Sequence, residues 1–191
     1  MISLIIVDCQ NDFISGTMSV KGAKNALIAI KEFIKKNKDN ICDVVFTLDW
    51  HPYNHCSFKK YGGMWPAHCV QYTPGACIEP KLLKHVQSLG LHYQCSLKGQ
   101  TEELEEFGAF SDIEHVCDLF GARIYLDVCE INEDSDVVIC GIAGDGCVKS
   151  TIQNLINGCV IPKVFLNGIA STDNGETINS FVKEHNLEIV K

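Results

Sequence analysis

The chain lacks the features that would place it among nucleic-acid-binding or membrane proteins. It has no run of lysine or arginine longer than two residues, as at Lys35-Lys36, and its 16 basic residues face 24 acidic ones, for a net charge of -8. Without a basic patch, we expect neither nucleic acid nor an anionic membrane as a partner. The opening apolar run, Ile2–Val7, is too short to span a bilayer and carries no export signal.

The cysteines lack the spacing of a disulfide or zinc scaffold. There are 11 of them, an odd number, and no CxxC pair occurs. Disulfide scaffolds are typical of short secreted chains, and common zinc fingers use CxxC pairs. In a mid-sized chain without an export signal, we therefore expect reduced thiols and a cytoplasmic location.

Length and hydrophobic content fit one globular unit. The chain has 191 residues, of which 46% are hydrophobic. This is enough for one sizeable core and short for two. We predict a single domain over residues 1–191.

Apolar runs alternate with amphipathic segments along most of the chain. The runs Ile2–Val7, Ile41–Leu48 and Val137–Gly141 are typical of strands covered on both faces, and residues 21–36 repeat apolar positions at helical spacing. Further strands are predicted over residues 92–97, 160–166 and 187–190. Further helices are predicted over residues 85–91, 112–120, 148–157 and 173–186, with a helical turn over 101–106. Residues 123–132 fit either an extra strand or the tail of a helix. This alternation predicts an α/β fold with a doubly wound, mostly parallel sheet and helices on both faces.

Polar residues stand at the C-terminal ends of four predicted strands. Asp8, Asp49 and Lys98 each end a strand, and the fourth strand runs through a glycine-rich turn to Cys147. Parallel α/β sheets bind ligands at this edge. Each residue alone is more often a helix cap or a turn residue, but the coincidence of four favours a site.

Cys147 is the candidate nucleophile because it opens a predicted helix. Unpaired backbone N–H groups and the helix dipole favour a thiolate there, so we expect a thiol pKa lowered toward neutrality from about 8.5. The same N–H groups are placed to hold an oxyanion. Asp8 would accept the thiol proton, and Lys98 would help to keep the sulfur ionised. A cysteine after a strand is by itself more often an inert core residue.

A second group of candidate residues lies in a long loop, residues 50–80, that shows no regular periodicity. Loops of this length in compact domains are usually functional. One carboxylate with three imidazoles suits a divalent ion. We predict Zn²⁺ as the bound ion, with Mn²⁺ and Fe²⁺ as alternatives. A single such histidine more often only forms hydrogen bonds, whereas the group favours a metal. The candidate ligands are Asp49, His51, His55 and His68, with Cys56 and Cys69 as alternative soft ligands.

Taken together, the motifs resemble those of the nicotinamidases among the isochorismatase-like cysteine hydrolases. They occur in the family's order from residue 1 to about residue 175. The metal motif separates nicotinamidases from metal-free relatives. The matching segments are Ile6-Val-Asp8-x-Gln-Asn-Asp-Phe13, Asp49-x-His51-Pro-x-x-His55-x-Ser-Phe58, Trp65-Pro-x-His68-Cys69, Lys98-Gly99 and Gly141-x-Ala-x-Asp-x-Cys147-Val148.

This resemblance implies hydrolysis of nicotinamide to nicotinate and ammonia, in salvage of the nicotinamide ring toward NAD. Cys147 would attack the carboxamide carbon to give a thioester, which water then hydrolyses. Asp8 would act as the base and then protonate the departing ammonia, and Lys98 would complete the triad. A divalent metal ion would take the pyridine nitrogen and orient the ring, with Asp49, His51, His55 and His68 as its ligands.

The resemblance also implies contacts for the ring and the oxyanion. Phe13 and Trp65 would line the ring, although both residue types are common in ordinary core packing. The backbone amides of Ala143 and Cys147 would form the oxyanion hole, with a cis peptide bond between Ile142 and Ala143.

The chain departs from the family pattern at three places. Gly146 stands where a bulkier residue is common, and Gly144 where Thr or Leu is usual, so we expect altered substrate breadth rather than a different reaction. Residues 123–133 form a longer link than usual, which we expect to be an inserted element or part of a homo-oligomer contact.

Two alternatives remain from the sequence. One is a related cysteine hydrolase acting on pyrazinamide or a carbamoyl compound, in which the carboxylate and imidazole group is not used. The other is a non-catalytic metal-binding module that keeps the fold. The presence of all three triad residues weighs against this module, which has no need of them together.

Overall fold

The computed structural model describes residues 1–118 and 121–191, with eight strands and five α-helices among these residues. The strands are β1 (Ile2–Val7), β2 (Ile41–Asp49), β3 (Tyr93–Lys98), β4 (Ile113–Asp118), β5 (Gly121–Leu126), β6 (Cys129–Asn132), β7 (Asp136–Ile142) and β8 (Lys163–Ala170). The helices are α1 (Asn11–Ile14), α2 (Ala23–Asn37), α3 (Pro80–Ser88), α4 (Lys149–Asn157) and α5 (Glu176–Glu184).

Five strands form a parallel central sheet in the order β3-β2-β1-β7-β8, which confirms the predicted α/β fold. Side chains alternate between the two faces of a strand, and β1 is buried on both. Leu4 and Ile6 join a core cluster with α2 and α3, whereas Ile5 and Val7 join a second cluster with α4 and α5. Helices therefore cover both faces of the sheet, and this explains why β1 is apolar throughout.

The strand register aligns the residues that later form the site. Asp49 pairs directly with Lys98 across β2 and β3. Val7, which precedes Asp8, pairs with Gly141 of β7 on one side and with Thr47 of β2 on the other. The C-terminal tips of β1, β2, β3 and β7 therefore meet at one edge of the sheet.

The prediction of a helix over residues 112–120 is wrong. Strand β4 occupies 113–118 and pairs in antiparallel fashion with β5, which pairs in turn with β6; Leu119 and Phe120 lie outside the described residues. Asp112, directly before β4, donates its backbone N–H to the Asp127 carboxylate, and its carbonyl accepts a hydrogen bond from the Asp127 N–H. Cross-strand pairing thus overrides the local helical pattern.

Segment 123–132, for which the sequence allowed a strand or the tail of a helix, forms strands, since it lies in β5 and β6. Ile124, Leu126 and Ile131 of this small sheet are buried in the same core cluster as α4 and α5. The Gln94 side chain of β3 links the two sheets through hydrogen bonds of 2.7 and 2.9 Å to the Glu130 backbone. The small sheet therefore extends the core of the large one.

Other element boundaries shift from their predicted positions. Helix α3 begins earlier than predicted, at Pro80, where the Glu79 side chain accepts a hydrogen bond from Leu82 N. Residues 101–106 form no helical turn, and the predicted final strand is reduced to a single bridge between Val164 and Ile189. No helix in the described part of the chain is long and apolar enough to cross a membrane.

We predict that Gly141→Ala lowers the free energy of unfolding by about 3 kcal/mol, because strain and overpacking each cost about 1–3 kcal/mol. Gly141 has a φ of +128°, and a Cβ there would lie 2.1 Å from the Val7 carbonyl oxygen. Denaturant unfolding measures the change.

Gly90→Ala is the matched control for the clash. Gly90 also has a positive φ, +70°, but a Cβ there meets nothing within 4 Å. We expect it to cost only about 1–2 kcal/mol, the penalty of the left-handed backbone. Equal losses for the two variants would contradict a steric role for Gly141.

Candidate active site

A cavity of about 610 Å³ opens at the sheet edge where the strand tips meet. Its walls come from the segments that follow β1, β2, β3 and β7. Such an edge is where parallel α/β sheets bind ligands. The predicted site residues that line it are Phe13, Asp49, Trp65, His68, Lys98, Ala143 and Cys147.

The three predicted triad residues lie together at one end of this cavity. Lys98 Nζ lies 2.9 Å from Asp8 Oδ2 and 3.6 Å from Cys147 Sγ. A carboxylate oxygen of Asp8, one of Asp49 and the Cys147 sulfur all lie within 4.8 Å of one another. The thiol is therefore within reach of a base and of a cation.

The two carboxylate oxygens of Asp8 have different partners, Thr47 for Oδ1 and Lys98 for Oδ2. Thr47 Oγ1 donates a hydrogen bond of 2.7 Å to Asp8 Oδ1. In the described part of the chain, Asp8 Oδ2 forms no hydrogen bond of good geometry and lies 2.9 Å from the Lys98 ammonium nitrogen. Burial raises the pKa of Asp8, with Lys98 opposing, which makes the carboxylate a better proton acceptor than an exposed aspartate.

Cys147 lies in the turn that leads into α4, close to where the sequence placed it. Residues Gly144–Val148 form a single wide helical turn, and α4 follows at once. The Ala143 carbonyl accepts hydrogen bonds of 3.0 Å from both Gly146 N and Val148 N, which closes this turn. Cys147 is half-buried and lines the cavity.

The expectation of a lowered thiol pKa is wrong for this arrangement. Desolvation raises the pKa of Cys147 well above its ordinary value, and Asp8 and Asp49 raise it further, while Lys98 opposes them. Two carboxylates beside the sulfur and the loss of water outweigh the position at a helix start. The resting group is therefore a neutral thiol, whose proton must be removed by a base.

Three of the four predicted metal residues converge. His51 Nδ1 lies 2.9 Å from the Gly99 carbonyl, and His68 Nδ1 lies 2.8 Å from the Pro66 carbonyl. Because a carbonyl only accepts, each Nδ1 carries a proton, and Nε2 is the ring atom that could bind a metal when the imidazole is neutral. These Nε2 atoms lie 3.5 and 3.8 Å from Asp49 Oδ2.

This arrangement fits a divalent ion. One ligand atom from each of Asp49, His51 and His68 lies within 4.8 Å of the other two, and all three residues are buried. Metal-binding histidines usually donate their other N–H to a carbonyl or a carboxylate, as both histidines do here. The donor set of nitrogen and oxygen suits Zn²⁺, Mn²⁺ or Fe²⁺.

His55 lies beside this group, but its ring nitrogens bind other protein groups. Its ring packs against His51 with centroids 4.1 Å apart. Its Nε2 donates to the Leu104 carbonyl at 3.0 Å, and its Nδ1 accepts from Ser57 N at 3.3 Å and contacts Ser57 Oγ at 2.7 Å. Both nitrogens are thus occupied by protein groups. Cys56 and Cys69 are also absent from the converging groups found among the described residues.

Asp49 links the metal group to the triad. One carboxylate oxygen forms a close ion pair with Lys98, and the other faces His51 and His68. Burial alone would raise the pKa of Asp49, but Lys98 and His51 hold it below its usual range. Burial would likewise lower the pKa of Lys98, but Asp49 and Asp8 raise it, so Lys98 remains an ammonium.

The two aromatic residues that the resemblance places beside the substrate ring both line the cavity. Phe13 is buried and meets the His68 ring edge-on, with centroids 5.5 Å apart. Trp65 is half-buried and is held by backbone hydrogen bonds to Lys59 and Ser57 of 2.7 and 2.9 Å. Ala143 also lines the cavity, and its peptide bond with Ile142 is cis, as the resemblance implied.

Sequence reasoning missed the residues that fix the triad and the metal group in place. Gln10 is buried and bonds both to Asp49 N, at 2.9 Å, and to the Asp49 carbonyl, at 2.7 Å. Glu106 accepts from Gly99 N at 2.8 Å, and Glu105 lines the cavity. Gln10 lies inside a motif quoted above and was detectable there, whereas Thr47 lies within an apolar strand and gave no signal.

Comparisons with known proteins agree with this geometry. A family model for the isochorismatase domain matches residues 3–88. The nicotinamidase/pyrazinamidase of Mycobacterium tuberculosis is 31% identical over 182 residues, which cover 93% of this chain and 91% of that protein.

Solved structures share the whole fold. PnC1 from L. infantum in complex with nicotinate has a TM-score of 0.78 and 27% identity, covering 100% of this chain and 92% of that one. The pyrazinamidase of Pyrococcus horikoshii in complex with zinc has a TM-score of 0.75 and 24% identity, covering 100% and 98%. With the thiol, carboxylate and ammonium together at the sheet edge, the chain belongs to the isochorismatase-like cysteine hydrolases, in the group of the nicotinamidases.

Proposed function

We propose that this protein hydrolyses nicotinamide to nicotinate and ammonia through a thioester on Cys147. The observation that carries the proposal is the meeting of Cys147, Asp8 and Lys98 beside Asp49, with two histidine Nε2 atoms facing the same carboxylate. A thiol with a buried base suits attack on an amide carbon. The likeness to a nicotinamidase/pyrazinamidase and to a nicotinate complex supports the substrate class.

In the first half of the reaction, Asp8 takes the proton of the Cys147 thiol as the sulfur attacks the carboxamide carbon. A C–S bond forms, and the charge that develops on oxygen is stabilised by the backbone amides of Ala143 and Cys147. Asp8 then gives its proton to the nitrogen, the C–N bond breaks, and ammonia leaves. Lys98 keeps the carboxylate and the sulfur in position and offsets their negative charge.

In the second half, water replaces ammonia and attacks the thioester carbon. Asp8 accepts a proton from this water, the C–S bond breaks, and nicotinate leaves while the sulfur regains its proton. The neutral resting thiol suits this cycle, because Cys147 gives its proton to Asp8 in the first half and receives from Asp8, in the second half, the proton that Asp8 took from water.

We assign the metal site to Asp49, His51 and His68, with Zn²⁺ ahead of Mn²⁺ and Fe²⁺; His55 stays the predicted fourth ligand. When bound, the ion supplies a Lewis-acid contact for the pyridine nitrogen. Phe13 and Trp65 supply apolar walls for the flat ring. Together these residues orient the ring so that its carboxamide faces Cys147.

Pyrazinamide is a second candidate substrate. Its ring carries a nitrogen in the same position relative to the carboxamide as the nitrogen of nicotinamide. The M. tuberculosis relative is named for both activities.

The cytoplasmic location and a homo-oligomer contact through residues 123–133 stay predictions from the sequence.

We predict that Cys147→Ala reduces ammonia release from nicotinamide by roughly a thousandfold or more, because the covalent route is lost. Purified protein and a coupled ammonia assay measure this. Cys117→Ala, at an exposed position on β4, is the matched control and should keep full activity. Ammonia release that survives Cys147→Ala would end the assignment of the nucleophile.

We predict that Asp8→Asn lowers kcat for ammonia release from nicotinamide by roughly a hundredfold or more, because the thiol loses the group that accepts its proton. The same substitution removes a negative charge that raises the pKa of Cys147, so alkylation of residue 147 by iodoacetamide, followed by peptide mass spectrometry, should not slow. Asp39→Asn, whose side chain is 88% exposed, is the control. A kcat for Asp8→Asn equal to that of the wild type would argue against Asp8 as the base.

We predict that His68→Ala lowers metal affinity by about a hundredfold or more and raises KM, because a ligand is removed. His55→Ala should lower affinity less, since its ring nitrogens bind Leu104 and Ser57. Elemental analysis after dialysis against a graded chelator gives the affinities. His85→Ala, on α3, is the control. An equal loss for His55→Ala and His68→Ala would show that His55 is a full ligand.

A further inference from the structure

The cavity is larger than nicotinamide requires. Its volume of about 610 Å³ lies within the range of roughly 300–1,000 Å³ typical of sites for drug-sized ligands. Nicotinamide is a single six-membered ring with one carboxamide and is smaller than such ligands. Part of the cavity therefore has room for atoms that nicotinamide lacks.

Gly146 forms part of the wall of this cavity, directly before the nucleophile. A Cβ added at Gly146 meets no heavy atom within 4 Å, and the residue does not have a positive φ. Neither packing nor backbone conformation therefore requires glycine at this position.

Gly144, in the same turn, differs in this respect. A Cβ there would lie 2.2 Å from Ser171 Oγ and 2.7 Å from Ile169 Cγ2, so packing requires a glycine. Of the two glycines, only Gly146 therefore combines open space at its Cβ position with a place in the cavity wall.

The open space adjoins the amide end of the substrate. Gly146 is bonded to Cys147, whose sulfur attacks the carbonyl carbon, whereas Phe13, Trp65 and His68 line the cavity from other segments. Asp145, the other neighbour of Gly146, is already bonded to Thr172 through both carboxylate oxygens. Hydrogen bonds from Thr172 thus partly compensate the charge of Asp145. A neutral substituent beside Gly146 therefore costs less in lost solvation of this carboxylate.

From this placement we infer that the enzyme also hydrolyses secondary carboxamides, in which the amide nitrogen carries a small neutral group accommodated beside Gly146. The inference rests on the proposed function. The chemistry is the same: the C–S bond forms, the C–N bond breaks, and Asp8 protonates the nitrogen. An amine leaves in place of ammonia, and water releases nicotinate.

The test compares nicotinamide with its N-methyl and N-propyl amides, by chromatography of the nicotinate formed, in wild type, Gly146→Ala and Gly146→Phe. We expect wild type to hydrolyse all three compounds. The ratio of kcat/KM for the N-propyl amide to that for nicotinamide should fall by about tenfold or more in Gly146→Phe, and by less in Gly146→Ala. Nicotinamide that carries a methyl group on a ring carbon, instead of on the amide nitrogen, is a comparison substrate. The ratio of its kcat/KM to that of nicotinamide should change less across the variants.

A second measurement does not depend on turnover. Alkylation of Cys147 by iodoacetamide and by N-propyl iodoacetamide reports access to the sulfur, and Gly146→Phe should slow the larger reagent selectively. Thermal unfolding checks that both variants are folded. If Gly146→Phe is not folded, the comparison is made between wild type and Gly146→Ala.

The outcomes separate the two proposals. Wild type that hydrolyses nicotinamide but neither secondary amide would overturn this inference and leave the proposed function intact. A kcat/KM ratio and an alkylation ratio that do not change across the variants would also overturn it. Wild type loaded with Zn²⁺ that hydrolyses no amide, primary or secondary, would overturn the proposed function and the inference with it.

Discussion

A buried lysine between two buried aspartates is the interaction on which the rest of the site depends. Lys98 is 3% exposed, and its partners Asp8 and Asp49 are 0% and 4% exposed. Charges this deeply buried persist only when they are paired, and two carboxylates so close would otherwise repel each other. Lys98 neutralises both, and so the ammonium holds the base of the triad and the carboxylate of the metal group in a single arrangement.

The sheet supplies the geometry that this ion pair needs. Asp49 and Lys98 are partners in the β2–β3 register, and Asp8 follows the central strand β1. Beyond the end of β1, Gln10 continues the connection to β2 by bonding to both backbone groups of Asp49. Residues far apart in sequence are thus fixed by backbone hydrogen bonds, and the site is as rigid as the sheet edge that carries it.

The sequence was informative where a residue's environment follows from its own segment. Continuous apolar runs predict β1, β2 and β7, and the polar residues at their ends predict which side chains meet. It failed where another segment decides, since β4 forms because β5 pairs with it. The hydrogen bonds of the His55 ring to Leu104 and Ser57 are likewise not indicated by its own motif. The Cys147 pKa could not be predicted from the helix start alone, since burial raises it and the carboxylates that raise it further, Asp8 and Asp49, come from the ends of other strands.

The neutral state of the resting Cys147 thiol also bears on how long the enzyme survives in the presence of oxidants. Peroxides attack thiolates far more readily than thiols, and the first product, a sulfenic acid, would end amide hydrolysis at this sulfur. Because burial raises the pKa of Cys147, oxidants meet a thiol rather than a thiolate between turnovers. Oxidation of the nucleophile is therefore slower than it would be for a cysteine whose pKa is lowered.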